Sequence, residues 1–410
     1  MKSFGKIVLV VVFCCLLAGI VFSAEPPVFI RGVRPLGMGG AFTALSSDQN
    51  AFFYNPAGLS RRTTSQITLL ELPIGISRDA ISFYQYYQDN KNALENFDQQ
   101  TYDTQVRLTN EITDKVTKYR THISLGLPNL NYLHCKEGFA WGIGVFDQFD
   151  ARVKLNSGII LPTIDFSGYL DVLAGLPLAK KWATVPAIPY WKGKNLAVPG
   201  SVSLGTTIKY LKRAKIDERR KSILTFEEFD PILQWGQGYG LDLGMLYQPV
   251  KSWDIGLMIS DFGGTKISYK EASNDTGTKA ATTEVIAPQT NLGLAFSPRN
   301  LYYWPGRSLG LKEDRLVFVA DLRDIFNADE KLLGENILAE TFFKHLYFGG
   351  EFRWFLFDLR TGFNQGYPTF GAGLHLLFLH LDYAYYADEL GRYTGQIPEW
   401  NHRITAALRF

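Results

Sequence analysis

The sequence predicts an all-β protein, a transmembrane antiparallel β-barrel of about 14 strands. Three observations carry that expectation. Apolar residues recur with a period of two; no apolar run beyond the N-terminus approaches the ~20 residues of a helical span; and aromatic residues gather near segment ends. Tyr239, Leu241, Leu243, Met245 and Tyr247 alternate with Gly240, Asp242 and Gly244. Val202, Leu204, Ile208 and Tyr210 alternate with Ser203, Gly205, Thr207 and Lys209. One face suits lipid at the ~9–11-residue length of a tilted membrane strand. The other carries glycine and charge rather than the second apolar layer of a sandwich core. Tyr210, Tyr239, Tyr247, Trp253, Trp354, Tyr383 and Tyr385 fall where interfacial girdles require aromatic rings.

Residues 1–24 read as a secretory signal peptide. Lys2 and Lys6 precede the apolar run from Ile7 to Phe22, and Ser23 and Ala24 suit a peptidase that takes small side chains. Removing them takes the net charge from +2 to zero and leaves Cys135 alone of three cysteines. No disulfide and no zinc ribbon can then form, and no cofactor or metal is expected. Forty-two Lys+Arg against 40 Asp+Glu, with 14% aromatic residues, exclude a disordered chain, a coiled coil and a nucleic-acid partner.

Residues 25–62 form an N-terminal segment and 63–410 the barrel. Strand-like segments run over 64–72, 80–88, 120–127, 138–148, 150–156, 201–212, 237–248, 252–261, 289–298, 314–323, 344–354, 355–364, 369–377, 378–388 and 400–410. Treating 150–156 as loop gives the even total that closure favours. Residues 91–118 lack Gly and Pro and read as a helical excursion. Residues 170–191 read as an apolar irregular loop, because Pro177, Pro186 and Pro189 break any helix there. Its Leu173, Leu176, Leu178, Trp182, Ile188 and Trp191 must be buried in protein, meet lipid, or bind something apolar.

Polar residues of the last strands share one face. Glu351 and Arg353, Asp358 and Arg360, then His375 and Asp382 point the same way. A guanidinium can pair a carboxylate headgroup, but the mixed signs favour an internal salt-bridge ladder. Enzyme chemistry is not expected, since the six histidines are scattered and no Gly-x-Ser-x-Gly elbow or HExxH run occurs.

Residues 31–60 carry the most specific motif. Gly37, Gly39 and Gly40 permit close backbone approach; Ser46, Ser47 and Asp48 suit a cap over Asn50 to Tyr54; Asn55, Pro56, Ala57 and Gly58 force a turn. On Leu36 to Phe42, Asp48 to Ala51 and Asn55 to Leu59, the chain resembles the FadL/TodX long-chain fatty-acid transporters and their PorV-type relatives. The resemblance implies that this stretch folds inward as a plug inside a 14-stranded barrel of the bacterial outer membrane. It implies uptake of hydrophobic small molecules such as long-chain fatty acids, with 170–191 as capture surface. A secretion or assembly adaptor that binds protein partners is the alternative. Outer-membrane lipid is an expected partner, and the last strand, ending in Phe410, resembles the signal read by the barrel-assembly machinery.

Overall fold

The computed structural model describes residues 31–410 except 97–98, 115–117, 137, 157–162, 184–187, 191–193, 197–198, 223–229, 276, 299, 304–306, 311–314, 327–341 and 392–393. The expected signal peptide and Trp191 therefore lie outside the described residues. The wall has fourteen staves. In chain order the first seven are β1 (Gln66–Ser77), β2 (Arg120–Leu125, resuming at Asn129–Lys136), β3 (Phe139–Asn156), β4 (Thr163–Trp182), β5 (Ser201–Ser222), β6 (Gln234–Val250) and β7 (Trp253–Ser260, resuming at Thr265–Tyr269). Then follow β8 (Thr282–Ile286, resuming at Gln289–Phe296), β9 (Leu316–Leu322), β10 (Leu346–Trp354), β11 (Phe357–Asn364), β12 (Tyr367–Leu376), β13 (Leu379–Glu389) and β14 (Pro398–Arg409).

Each stave pairs antiparallel with the next, and β1 closes on β14 from Thr68–Arg409 to Ser77–Asn401. Ile67 and Phe410 exchange two backbone hydrogen bonds at 3.0 and 2.9 Å. Closure leaves no strand edge, the condition for crossing a lipid core with strands. No helix among the described residues is long and apolar enough to cross a membrane. The barrel thus has a terminal end, where β1 begins and β14 finishes, and a far end. At the far end 216–222 of β5 stand past the last β6 pair, Lys215–Gln234.

The expected strand number stands, reached through different segments. Residues 80–88 are not a strand: a helix, Arg78–Glu95, follows β1, with Ser77 Oγ accepting the Ala80 N–H at 3.1 Å. That cap outweighs the strand preference of Phe83, Tyr84, Tyr86 and Tyr87. The excursion at 91–118 is the end of this helix plus a second, Tyr102–Asp114. Residues 150–156 belong to β3.

The largest correction concerns 170–191, of which 170–182 are wall rather than loop. Leu176, Leu178 and Trp182 lie on the outward face of β4, and Leu173 faces inward and is buried. Ile188 begins a short strand, Ile188–Tyr190, that pairs with Lys194–Leu196. These residues therefore do not form one external capture surface.

Aromatic pairs stand toward both ends of the wall. Tyr239 stacks beside Tyr210 at 5.2 Å toward the far end, and Trp253 packs on Phe296 at 4.6 Å at the terminal end.

Candidate functional site

Residues 31–62 pack against the inward face of the wall. The segment is a short helix, α1 (Val33–Gly37), followed by two 3-10 turns, Gln49–Phe52 and Pro56–Arg61. Each 3-10 turn is capped as the sequence suggests. Asp48 Oδ1 accepts the Asn50 N–H at 2.9 Å, and Asn55 Oδ1 accepts that of Ala57 at 3.1 Å. Met38, Ala41, Phe42, Ala51, Phe52, Tyr54, Ala57 and Leu59 are buried, packed with inward residues of the wall.

The inward glycines of the alternating strands are the seat of this segment. Gly205 lies against Pro56 and Ala57, Gly256 and Gly293 against Thr43 and Ala44, Gly349 against Met38, and Gly371 against Gly37. A Cβ on Gly205 would stand 2.4 Å from the Ala57 nitrogen. Polar ties complete the seat. Asp321 Oδ2 accepts from Phe42 N, Thr43 N and Thr43 Oγ1 at 2.8, 2.9 and 2.7 Å. Asn55 Nδ2 donates to Thr43 O at 2.9 Å and to Met245 O of the wall at 3.1 Å. Arg31 reaches Asp388 at 2.5 Å, and Arg61 lies 2.9 Å from Asp254.

The six polar residues singled out on the last strands do come together. Arg360 is fully buried and meets Glu351, Asp358 and Asp382 at 2.8, 2.9 and 2.6 Å. Arg353 pairs with Glu351 at 2.9 Å, and His375 lies 3.5 Å from Asp358. What the sequence did not show is that the N-terminal segment joins them, through Arg34. Burial works against the Asp48 carboxylate, but Arg34 at 2.7 Å, the Asn50 N–H and Arg409 together hold its pKa below the usual value. Elsewhere in the lumen Lys209 bridges Asp242 and Asp261 at 2.8 and 2.9 Å, and Arg213 pairs with Asp171 at 2.6 Å. His122 Nε2 lies 2.7 Å from Asp150, with Glu399 3.0 Å from Nδ1 but off the hydrogen-bond direction. These interior charges pair with opposite charges, so the ladder is the better account of Arg353 and Arg360.

Among the places where the wall departs from regular pairing, the break in β2 lies beside the N-terminal segment's phenylalanines. β2 breaks at Gly126, Leu127 and Pro128, opposite a bulge in β1 between Leu69 and Leu72. Leu70 there adopts φ 55°, a strained value for a leucine. Ladder bonds are replaced by side-chain ones: Asp147 accepts the Leu127 N–H, and Asn129 Oδ1 accepts the Asp147 N–H at 2.8 Å. Asp147 sits on the outward face of β3, where alternation calls for an apolar residue, yet it is buried in the break. Leu125, Leu127, Leu130 and Leu72 surround it, all exposed on the outside. Directly inward lies Phe146, whose ring meets Phe52 and Phe53 edge-on at 4.8 and 4.9 Å. Sequence reading placed no residues at such a break; a Gly-x-Pro inside a strand pattern and an acid on an apolar face were its available signals.

No family model and no curated protein matches this chain. Solved structures do. A toluene transporter of Pseudomonas putida, TodX, is 13% identical with a TM-score of 0.47, over 95% of this chain and 98% of that one. The toluene transporter TbuX of Ralstonia pickettii is 12% identical, with a TM-score of 0.48 over 92% and 97%. A FadL homologue of Pseudomonas aeruginosa is 10% identical, with a TM-score of 0.45 over 95% and 99%. Each of these likenesses runs over nearly the full length of both chains.

Proposed function

We propose that the protein stands in a bacterial outer membrane and passes hydrophobic small molecules between the lumen and the membrane through the break in β2. The observation that supports this reading is the aromatic knot of Phe52, Phe53 and Phe146, which backs directly onto an interrupted, leucine-rimmed stretch of wall. An apolar compound moving sideways there would meet apolar surface on both sides, whereas the ion-paired lumen would have to be desolvated. Residues 31–62 serve as the plug that keeps the barrel closed to water and ions. The terminal end faces the periplasm, since chain termini and short turns lie on that side in this class.

Long-chain fatty acids are one ligand class consistent with this route, and monoaromatic hydrocarbons, which the similar transporters carry by name, are another. Uptake of radiolabelled toluene and oleate by cells expressing the chain, against cells carrying an empty vector, tests the proposal. No gain for either compound would sink it. The adaptor reading draws on the same tightly seated plug and predicts instead the loss of a specific secreted protein in a deletion strain.

A further inference from the structure

The terminal rim of the barrel is apolar where turns are ordinarily polar. The β10–β11 turn reads Trp354-Phe355-Leu356-Phe357, and the β12–β13 turn reads Leu376-Leu377-Phe378-Leu379. Two-residue hairpin turns put Gly, Asn or Asp at positive φ. Here Phe355 (φ 58°) and Leu377 (φ 50°) hold those positions, 89% and 93% exposed. Strained backbone that presents an apolar side chain outward is a mark of function rather than of stability. The β6–β7 turn at the same end carries Lys251 and Ser252 instead.

The two apolar turns are joined. His375 N–H donates to Leu356 O at 2.9 Å, and Arg409 N–H donates to Phe378 O at 2.8 Å. The Phe410 ring stacks on Phe378, 5.7 Å away and nearly parallel. The outward residues next to this rim are apolar: Phe352 and Trp354 of β10, Phe357 and Leu359 of β11, and Ile404, Ala406 and Leu408 of β14.

Just inside the rim lies a cavity of about 360 Å³. Residues that flank the turns, Arg353, His375, His380 and Arg409, line it together with Arg34 and Arg62. Its acids are engaged: Asp48 by Arg34, and Asp358 and Asp382 by Arg360. Guanidinium donors remain. Arg62 donates to the backbone oxygens of Ser47 and Thr64 and meets no carboxylate among the described residues, while Arg409, whose Nη2 lies 3.7 Å from Glu71, keeps an Nε without a hydrogen-bond partner there.

We propose that the rim and this mouth form one binding site for an amphiphile with an anionic headgroup. Arg62 and Arg409 hold the oxyanion, whose geometry the guanidinium fork matches. The hydrocarbon chain lies over Phe355, Leu377 and Phe378. A phosphate-headed membrane lipid and a free carboxylic acid share this chemistry. The site goes beyond the transport reading: it holds its ligand whether or not anything crosses the wall.

Native mass spectrometry of the full chain with dodecyl phosphate, dodecanoate, dodecanol and inorganic phosphate tests it. At least one anionic amphiphile is retained, and dodecanol and inorganic phosphate bind at least tenfold more weakly. A preference for dodecyl phosphate assigns a membrane-lipid headgroup, and one for dodecanoate a free acid. Arg62→Gln weakens binding about tenfold. Leu377→Asn suits the positive-φ turn and folds at least as well, yet weakens binding similarly. Equal retention of dodecanol, full displacement by inorganic phosphate, or unchanged binding in both variants would overturn the assignment. Absence of uptake in cells would leave it standing.

Discussion

Arg34 of the lumenal segment and Glu351 of β10 meet in a two-pronged contact, Nε to Oε1 at 2.9 Å and Nη2 to Oε2 at 2.7 Å. Glu351 is fully buried and also serves Arg353 and Arg360, so Arg34 docks into a charge network that the wall has already assembled. Replacing Arg34 by Leu leaves that carboxylate short of one partner. Breaking a buried pair costs about 3–5 kcal/mol, and the two remaining arginines put this case near the lower end. The Arg34→Leu barrel should still shift its gel mobility on boiling, while its ion conductance in planar bilayers rises. A variant as tight as the parent would show that this contact does not seat the plug.

The pH dependence of that seat follows from Asp48. Burial raises its pKa, but Arg34, the Asn50 N–H and Arg409 together hold the folded value below the ordinary carboxylate value. A depressed carboxyl contributes stability that is present above its unfolded pKa, near 3.9, and lost as pH falls through the lower folded value. Conductance should therefore stay at its neutral-pH level from pH 7 to about pH 5 and rise only below about pH 4. Opening between pH 7 and pH 5 would point to a different titrating group.

Inward glycines should be intolerant of substitution where the plug's backbone touches them. A Cβ at Gly349 would stand 2.4 Å from the Met38 carbonyl oxygen, a backbone atom that cannot swing away. Gly349→Val should displace the segment and expose it to proteolysis in the assembled barrel. Gly277, whose nearest neighbour to an added Cβ is Ile232 Cδ1 at 3.8 Å, serves as the control. Equal protease resistance of Gly349→Val and Gly277→Ala would remove the close-packing argument.

These glycines also explain how much of the fold was legible in the sequence. Alternation shows plainly where one face of a strand is apolar and partly exposed and the other meets charge or the N-terminal segment, as at Leu241, Asp242, Leu243 and Gly244. It vanishes on β4. There Leu173, Pro177 and Ala179 face the interior while Leu176 and Leu178 face lipid, so both faces are apolar and the run resembles a loop. Pro177 adds to the disguise, since it cannot donate to the ladder, and the β3–β4 register skips from Trp141–Leu178 to Gly144–Gly175 beside it. The N-terminal segment was legible because its caps are local, Asp48 to Asn50 and Asn55 to Ala57. Its partners Glu351 and Asp321 lie some 300 residues away by chain. Nothing in a local pattern pairs them.

Asp147 offers the sharpest test of the wall break. Its carboxylate accepts the Leu127 N–H, which the interrupted ladder leaves without a strand partner. Leaving a buried donor unsatisfied costs about 1–3 kcal/mol, and lipid supplies no water to make it good. Asp147→Ala should lower the temperature at which the barrel loses its unboiled gel mobility. Asp147→Asn keeps an acceptor oxygen and should recover most of that loss. If the break is the route for hydrophobic compounds, loosening it in Asp147→Ala should also change the rate of toluene uptake, and Asp147→Asn should restore it. A stability loss with unaltered uptake in both variants would make Asp147 a stitch in the wall and place the route elsewhere.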